Sequence, residues 1–295
     1  MSFTEFSNAT HAVPFDPTAT HRLPAPAKIN LFLHIVGRRP DGYHLLQTAF
    51  RMLDWGDEIT LRRRDDGQLC RTTDVPGVPP EADLVIRAAR LLQQETGTAY
   101  GADIGVLKRV PMGGGLGGGS SDAATVLIGL NRIWGCGLDR PTLQALGLRL
   151  GADVPFFIYG ETAFAEGVGE ELHPLEVPPA WYVLVAPPVS VPTAEIFSSK
   201  ELTRDTEPRI IRVFAAHDTR NDMQAVACSK YPEVKQTISW LSSKGSARMS
   251  GSGGCSFAGF ETEAQANEVL ASAPQGWVVW VAQGLDQHPL KTWVV

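Results

Sequence analysis

The sequence has few cysteines, no long apolar run and no excess of basic residues. Its four cysteines, Cys70, Cys136, Cys228 and Cys255, form no Cys-x-x-Cys pair. A zinc site or disulfide framework is therefore not expected, and a reducing, cytoplasmic compartment is the simplest expectation. No stretch approaches 18 consecutive apolar residues, so no transmembrane helix is predicted. The 26 Lys and Arg residues are outnumbered by 32 Asp and Glu residues, giving a net charge of −6. This balance argues against a general nucleic-acid binder.

The composition is that of a folded chain long enough for more than one domain. Apolar residues make up 43% and charged residues 20% of the sequence, which excludes a disordered chain. At about 150 residues per domain, the length predicts two domains or one large one, with no need for disulfides to hold the core. Residues 1–22 carry only three charges and lack the regions of a secretory signal, so we expect a mobile tail there.

Hydrophobic periodicity predicts a mixture of strands and helices in the first half of the chain. Residues 27–36 alternate like a strand, with Lys28 and Asn30 on one face. The other elements predicted here are strands at 57–62 and 104–110 and helices at 83–95, 121–134 and about 141–150, the last capped by Asp139. No regular βαβ alternation is present, so the pattern favours an α+β fold over a doubly wound sheet.

A proline-rich segment, 174–192, brackets one predicted strand at 181–186 and marks the predicted domain boundary near 175. The two domains are therefore expected at 23–175 and 176–295. The elements predicted after the boundary are helices at 210–217, 232–243 and 262–272, a glycine-rich turn at 250–254, and strands at 255–260 and 277–282. This order would suit a small α/β sandwich.

The strongest chemical signal is a glycine-rich loop in which six of the seven residues 113–119 are glycine. The loop follows a predicted strand and opens a predicted helix, so its N–H groups and the helix N-terminus suit a polyphosphate. The candidate phosphate-binding residues are Pro111, Met112, Gly113, Gly114, Gly115, Leu116, Gly117, Gly118, Gly119, Ser120 and Ser121. Lys108 and Arg109 precede the loop, where they could neutralise phosphates or simply end a strand in solvent.

Two common nucleotide loops fit this segment badly. Gly113, Gly115 and Gly118 satisfy the spacing G-x-G-x-x-G, but the acidic residue that should close a second strand is missing, because Asp139 sits in a predicted turn. A Walker A loop requires Gly-Lys-Ser/Thr, and Gly119 is followed directly by serine. The loop alone therefore leaves the phosphate ligand open.

Two further segments carry candidate catalytic groups. Lys28 and Asn30 are two residues apart on one strand, and Asp153 follows the helix predicted at about 141–150. A carboxylate just past a helix C-terminus would oppose the helix dipole, and such a local conflict often marks a functional site. Taken alone, Lys28 would be an ordinary strand lysine and Asp153 an ordinary turn residue.

Together, these segments resemble the GHMP kinase superfamily, whose phosphate loop is here expanded with extra glycines. Within it, the chain looks like the branch that phosphorylates a cytidine-diphosphate-linked methylerythritol. The segments that carry the resemblance are 26–44, 111–121, 150–157 and 164–170. Valine at 110 replaces the leucine of the family pattern, and residues before about 24 lie outside it.

The resemblance implies an α+β fold of two parts, with the active site in the cleft between them. The first part would be an ATP-binding domain of ribosomal-protein-S5-like type, and the second a ferredoxin-like GHMP C-terminal domain. The implied cofactors are ATP and Mg²⁺, with no fixed metal site in the protein. The implied acceptor is the tertiary 2-hydroxyl of a substrate carrying a cytidine diphosphate group. We expect no nucleic-acid or membrane partner, and a monomer or weak dimer.

The resemblance also assigns roles to single residues. Asp153 matches the catalytic base and Lys28 its partner lysine. The positions that match the substrate pocket are Asn30, Tyr43, His44, Phe50, Thr193 and Phe197. Tyr43 and Phe197 would sandwich the cytosine ring, and His44 would read its polar edge. These roles are chemically coherent, because phosphoryl transfer depends on positioning and charge stabilisation, and aromatic faces suit a base.

Other functions remain open on the sequence. A nucleotide-binding protein without catalysis would tolerate loss of Lys28 or Asp153, yet both are present. A nicotinamide-dependent oxidoreductase could use the glycine loop, and another GHMP small-molecule kinase is the nearest competitor. The segment 250–254 matches a C-terminal glycine motif of the superfamily near the active site, although a tight turn into the next strand would explain it equally well.

Overall fold

The computed structural model describes residues 15–209 and 220–294, and the structural statements below refer to those residues. The strands are β1 (His21–Arg38), β2 (His44–Arg64), β3 (Leu69–Arg71), β4 (Gly101–Leu107), β5 (Ala163–Glu166), β6 (Glu171–Pro174), β7 (Trp181–Ala186), β8 (Ala247–Met249), β9 (Ser256–Phe260) and β10 (Val278–Leu285). The helices are α1 (Leu84–Thr96), α2 (Gly118–Ile133), α3 (Arg140–Leu148), α4 (Val154–Tyr159), α5 (Thr193–Ser198), α6 (Gln224–Lys230), α7 (Pro232–Ser242) and α8 (Glu263–Ala271), and a 3₁₀ turn spans Lys291–Trp293.

All ten strands join in one sheet, in the order β3-β4-β2-β10-β7-β9-β8, with β1 and β5 also paired to β2 and β6 paired to β5. Nearly all pairs are antiparallel; only β3 and β4 run parallel. The C-terminal strand β10 pairs with β2 through Gly284 and Leu285, and with β7 along most of its length. This topology confirms the expected α+β class.

The long strand β1 is buried from Leu23 to Ile35, so both of its faces are covered by the fold. Its pairing with β2 shifts register between Pro26 and Lys28 and again between Asn30 and Phe32. Such bulges release backbone groups from the ladder. The N–H of Lys28 donates to Leu116 O of the glycine loop at 2.9 Å, and the N–H of Asn30 donates to Ser250 Oγ at 3.2 Å. The irregularities of β1 therefore tie it to both glycine-rich turns.

The helices predicted from sequence at 83–95, 121–134, about 141–150, 232–243 and 262–272 are present, with small differences at their ends. Asp83 and Gly97 bound α1, Asp139 caps α3, and Thr262 forms a capping box at α8. Helix α2 begins at Gly118 rather than at residue 121, because Gly117 in the left-handed conformation serves as its N-cap. Strand β4 ends at Leu107, short of the predicted 110, because the next backbone N–H groups bind the Asp57 side chain instead of a neighbouring strand.

One predicted segment differs from the structure, and others fall partly or wholly outside the described residues. The predicted tail extended to residue 22, but β1 already begins at His21, and the ring of Phe15 stacks on that of His21 at 5.0 Å. Any mobile tail would therefore end earlier. Most of the tail, and the helix predicted at 210–217, lie outside the described residues. The domain boundary near 175 stays a prediction. Over 15–209 and 220–294, no helix has the length and apolar character needed to cross a membrane.

Candidate active site

The glycine-rich loop adopts backbone conformations that side chains tolerate poorly. Gly113, Gly115 and Gly117 have φ values of +72°, +76° and +72°, in the left-handed region that favours glycine. A Cβ on Gly115 would lie 2.0 Å from Ser250 O, and one on Gly117 would lie 2.9 Å from Phe157 Cζ. The alternating glycines therefore allow the loop to pass closely between the second glycine turn and the start of α4.

Helix α2 starts at the end of this loop without a side-chain cap. Its first N–H groups and the positive end of its dipole consequently face the loop, an arrangement that binds anions. A cavity of about 250 Å³ lies against the loop and is lined by Leu84, Lys108, Met112 and Ser120 together with the loop glycines. All the predicted phosphate-binding residues except the fully buried Ser121 thus line one cavity.

Lys28 and Asp153 form a close pair beside the loop. Lys28 Nζ lies 3.4 Å from Asp153 Oδ2 and donates to Asn30 Oδ1 at 2.6 Å. The lysine side chain is only 3% exposed, whereas the aspartate side chain is 35% exposed. Asn30 is held in turn, because its Nδ2 donates to Thr48 Oγ1 at 2.9 Å. The pair thus combines an immobilised buried cation with a carboxylate that a ligand can reach.

The electrostatic argument that singled out Asp153 in the sequence is wrong. Helix α3 ends at Leu148, and Asp153 occupies the N-cap position of α4, which begins at Val154. A carboxylate at a helix N-terminus is favourable rather than opposed to the dipole. Asp153 makes no capping hydrogen bond to α4, so its side chain remains directed to the pair with Lys28.

A larger cavity of about 850 Å³ holds this pair and all the predicted substrate residues. Those residues are Asn30, Tyr43, His44, Phe50, Thr193 and Phe197. Gly113, Gly115, Gly117 and Ser120 line the same cavity. The glycine loop, the Lys28–Asp153 pair and the aromatic residues therefore share one space, although they come from four separate parts of the chain.

The aromatic residues of this cavity differ in their exposure and in the rings they pack against. Tyr43 is 65% exposed. The His44 ring stacks on Phe197, with centroids 4.7 Å apart and an interplanar angle of 24°, so a base stacked on the same face of Phe197 would lie edge to edge with His44. Phe50 packs on Phe156 at 4.8 Å and lies 5.2 Å beneath Lys28 Nζ. Phe50 therefore packs beneath the lysine, whereas Tyr43 and Phe197 are better placed to stack on a base.

The second glycine turn closes the site from the other side. Ser250 Oγ donates to Gly115 O at 2.9 Å, and the hydroxyls of Ser252 and Thr193 are 2.6 Å apart. Ser250 thus bonds both β1 and the glycine loop, while Ser252 contacts α5. The sequence predicted a turn near the active site but gave no sign of these long-range contacts.

Lys108 is not the free phosphate-neutralising cation that the sequence allowed. Its ammonium is hydrogen-bonded to Asp57 Oδ2 and, at 2.7 Å, to Asp122 Oδ2. Asp57 Oδ1 also accepts the N–H of Val110 at 2.8 Å. Both carboxylates are buried. This cluster fixes the chain where β4 passes into the glycine loop, and sequence reasoning missed it because its members are 14 to 65 residues apart.

The cluster makes stability depend on pH. Burial, and next the negative charge of Asp57, raise the pKa of Asp122 to about 8 from its ordinary value of 3.8. Between about pH 4 and pH 8 the native state therefore keeps this proton while the unfolded chain has lost it. The free energy of unfolding consequently falls as the pH rises through this range. Asparagine resembles the neutral acid. We therefore expect Asp122→Asn to gain stability relative to wild type between pH 5 and pH 8.5.

Urea unfolding of both proteins at the two pH values measures this difference. Titrating groups outside this cluster are common to the two chains and cancel in the comparison. A stability difference between wild type and variant that is the same at pH 5 and pH 8.5 would show that Asp122 ionises normally.

Comparison with known proteins places this chain and its fold among the GHMP kinases. The family described as "GHMP kinases N terminal domain" matches residues 83–161, and "GHMP kinases C terminal" matches residues 208–279. A solved homoserine kinase from Cytophaga hutchinsonii shares the fold, with a TM-score of 0.64 at 18% identity over 94% of this chain and 99% of that one.

Relatives of higher identity share one specific enzyme name. A protein of Aromatoleum aromaticum named 4-diphosphocytidyl-2-C-methyl-D-erythritol kinase is 65% identical over 92% of this chain and 95% of its own. A protein of the same name from Azoarcus sp. is 63% identical over 90% of this chain and 95% of its own length. A crystal structure of 4-(cytidine 5'-diphospho)-2C-methyl-D-erythritol kinase superposes with a TM-score of 0.77 at 32% identity, covering 90% of this chain and 99% of that one. The chain belongs to the 4-diphosphocytidyl-2-C-methyl-D-erythritol kinase family.

Proposed function

We propose that this chain uses ATP to phosphorylate the 2-hydroxyl of 4-diphosphocytidyl-2-C-methyl-D-erythritol, giving the 2-phosphate and ADP. This places it in the non-mevalonate route to isoprenoid precursors. The observation that carries the proposal is the Lys28–Asp153 pair, which lines the same cavity as the glycine loop and the aromatic residues. Membership of a kinase family decides against the nicotinamide-dependent oxidoreductase.

The proposed mechanism uses the two residues of the pair for different tasks. Asp153 accepts the proton of the acceptor hydroxyl as that oxygen attacks the γ-phosphorus of ATP. Lys28 stabilises the negative charge that spreads over the transferred group, and its own position is fixed by Asn30. A tertiary alcohol is a poor nucleophile, so a carboxylate within hydrogen-bond reach is a real advantage.

ATP is proposed to bind with its phosphates along the glycine loop. The N–H groups of the loop and of the first turn of α2 would bind the phosphate oxygens. The cytidine end of the acceptor would occupy the far side of the cavity, between the exposed Tyr43 and Phe197 and beside the His44 ring. Arg38 also lines this cavity and is a candidate to bind the acceptor's diphosphate.

Mg²⁺ is proposed to arrive with ATP. Within the part of the chain that the structure describes, no group of three or more His, Cys, Asp or Glu side chains could hold a metal ion. Mg²⁺ commonly takes only one or two protein oxygens besides phosphate and water. The buried hydroxyl of Ser121 has no hydrogen-bond partner, and Ser120 lines both cavities. These serine oxygens fit the remaining ligand positions, where the ion would supply charge neutralisation of the phosphates.

The cytidine group should be required for turnover. Binding energy from the base can be used to orient the reacting hydroxyl, so the free methylerythritol phosphate should react with a kcat/KM lower by at least two orders of magnitude. That expectation assumes about 3 kcal/mol from base stacking and hydrogen bonding. Steady-state kinetics with the two acceptors gives the ratio. Equal turnover of the truncated acceptor would mean that the aromatic side of the cavity is not a base site.

A further inference from the structure

Arg204 joins His44 to the end of α5 and the segment after it through one guanidinium group. Its Nε donates to His44 Nε2 at 3.1 Å. Its Nη2 donates to Phe197 O at 2.9 Å and to Ser199 O at 2.7 Å, and its Nη1 donates to Leu202 O at 3.0 Å. The side chain thus holds the C-terminal end of α5 and the His44 ring in one arrangement, and His44 and Phe197 both line the cavity.

The hydrogen bond to His44 fixes where the histidine carries its proton. A guanidinium group has donors only and stays protonated in proteins. His44 Nε2 must therefore be the acceptor, and the proton of the neutral ring must sit on Nδ1. Burial, followed by the positive charges of Arg204 and Arg38, lowers the pKa of His44, so the ring remains neutral. The one ring nitrogen left for a ligand is then an N–H donor.

We propose that Arg204 is a positioning residue that holds His44 as an Nδ1–H donor for the acceptor edge of the nucleobase. The inference rests on the proposed function, because it assigns the base of that substrate to this part of the cavity. Cytosine offers two adjacent acceptors, N3 and O2, and we assign the donor to N3. In uracil, N3 carries a hydrogen and would oppose the His44 donor. Arg204 thereby contributes to selection of cytidine over uridine.

The position of the proton can be measured without any substrate. In ¹⁵N NMR spectra of the full chain, wild-type His44 should show Nδ1 as the protonated nitrogen and Nε2 as the unprotonated one. Arg204→Met should lose that bias. A wild-type spectrum with the proton on Nε2, or a variant spectrum unchanged from wild type, would overturn the proposal. The wild-type spectrum is decisive even if the variant does not fold.

Arg204 also supports α5, so its effect on the tautomer must be separated from a structural effect. Asparagine at position 44 places an amide donor close to Nδ1 and does not depend on a tautomer. Arg204→Met should weaken CDP binding about three- to tenfold in the wild-type background, the loss expected for one hydrogen bond. The same change in His44→Asn should weaken it less than twofold. Equal losses in both backgrounds would show that Arg204 acts only through α5.

Two further readouts complete the test. Lys200→Met removes an exposed positive charge from the same segment and should leave CDP binding unchanged. A loss of affinity equal to that of Arg204→Met would mean that Arg204 acts only through its positive charge. Arg204→Met should also reduce the ratio of CDP affinity to UDP affinity, and an unchanged ratio would overturn the assignment to N3. In the kinase assay, it should raise the KM for the acceptor more than it lowers kcat. Failure of wild type to bind CDP would count against the proposed function itself.

Discussion

Replacing Asp153 by asparagine is expected to lower kcat by roughly two to four powers of ten, the usual span for a positioned general base. Asparagine keeps the shape of the side chain but cannot accept the proton of the attacking hydroxyl. The affinity for ATP should change little, because the glycine loop and the start of α2 provide that binding. Steady-state kinetics and ATP titration of the purified variant measure both quantities, with thermal melts as a check on folding.

Asp65→Asn is the matched control, since it removes an exposed carboxylate that lines neither cavity. It should leave kcat within about twofold of wild type, as surface substitutions usually have small effects. A kcat near the wild-type value in Asp153→Asn would mean that Asp153 orients the hydroxyl without acting as a base.

Lys28→Met tests whether the two residues act as a unit. It should also remove most of the activity, because the buried ammonium is the group beside Asp153 that can stabilise transferred charge. When two groups serve one step, the double variant is little worse than either single one. Independent, multiplying losses would indicate two separate roles. Near-wild-type rates in both single variants would remove the pair from the active site altogether.

The second large effect is expected at Gly117. Gly117→Val forces a β-branched residue to a φ of +72°, and its Cβ would meet Phe157 Cζ at 2.9 Å and Lys28 Cγ at 3.0 Å. We expect the free loop of the variant to relax from this conformation, so that ATP binding must restore it at a cost of about 1–3 kcal/mol, which corresponds to a loss of roughly 5- to 150-fold in ATP affinity. The loss in kcat/KM should be larger, since the catalytic lysine is displaced as well. Calorimetric ATP titration and kinetics separate the two effects.

Gly119→Ala provides the control within the same loop. Gly119 does not require a positive φ, and its added Cβ would come no closer than 3.4 Å to Leu84 Cδ1. Alanine also suits a helix better than glycine does, so this variant should fold and bind ATP nearly as wild type does. If a folded Gly117→Val protein bound ATP with unchanged affinity, the loop would not be the phosphate site.

Local signals in the sequence were sufficient for much of the fold. The Asp139 cap predicted α3, the alternation of residues 27–36 predicted β1, and the prolines on both sides of 181–186 predicted β7, and the structure contains all three elements. The short helices α4 and α5 were missed because six residues are too few for a periodic pattern. The start of α2 was placed late because a left-handed glycine cap has no distinctive side chain.

The site was predictable where one segment carries the chemistry and unpredictable where distant segments meet. The glycine loop, Lys28 and Asp153 were found from their motifs, but the dipole argument for Asp153 failed because α4 was not foreseen. Lys108 is paired with two buried carboxylates, and Arg204 bonds a histidine 160 residues away. No periodicity or spacing along the chain can indicate contacts of that kind.

The most direct test of the proposed function is ADP release measured in a coupled assay with ATP and four separate acceptors. These are 4-diphosphocytidyl-2-C-methyl-D-erythritol, mevalonate, homoserine and galactose, each at equal concentration, with Asp153→Asn as the inactive reference. We expect rapid, acceptor-dependent ADP release with the cytidylyl compound alone, and a phosphate monoester on its 2-hydroxyl in the product. Faster turnover of any of the other three acceptors, or no acceptor-dependent release with the cytidylyl compound, would contradict the assignment.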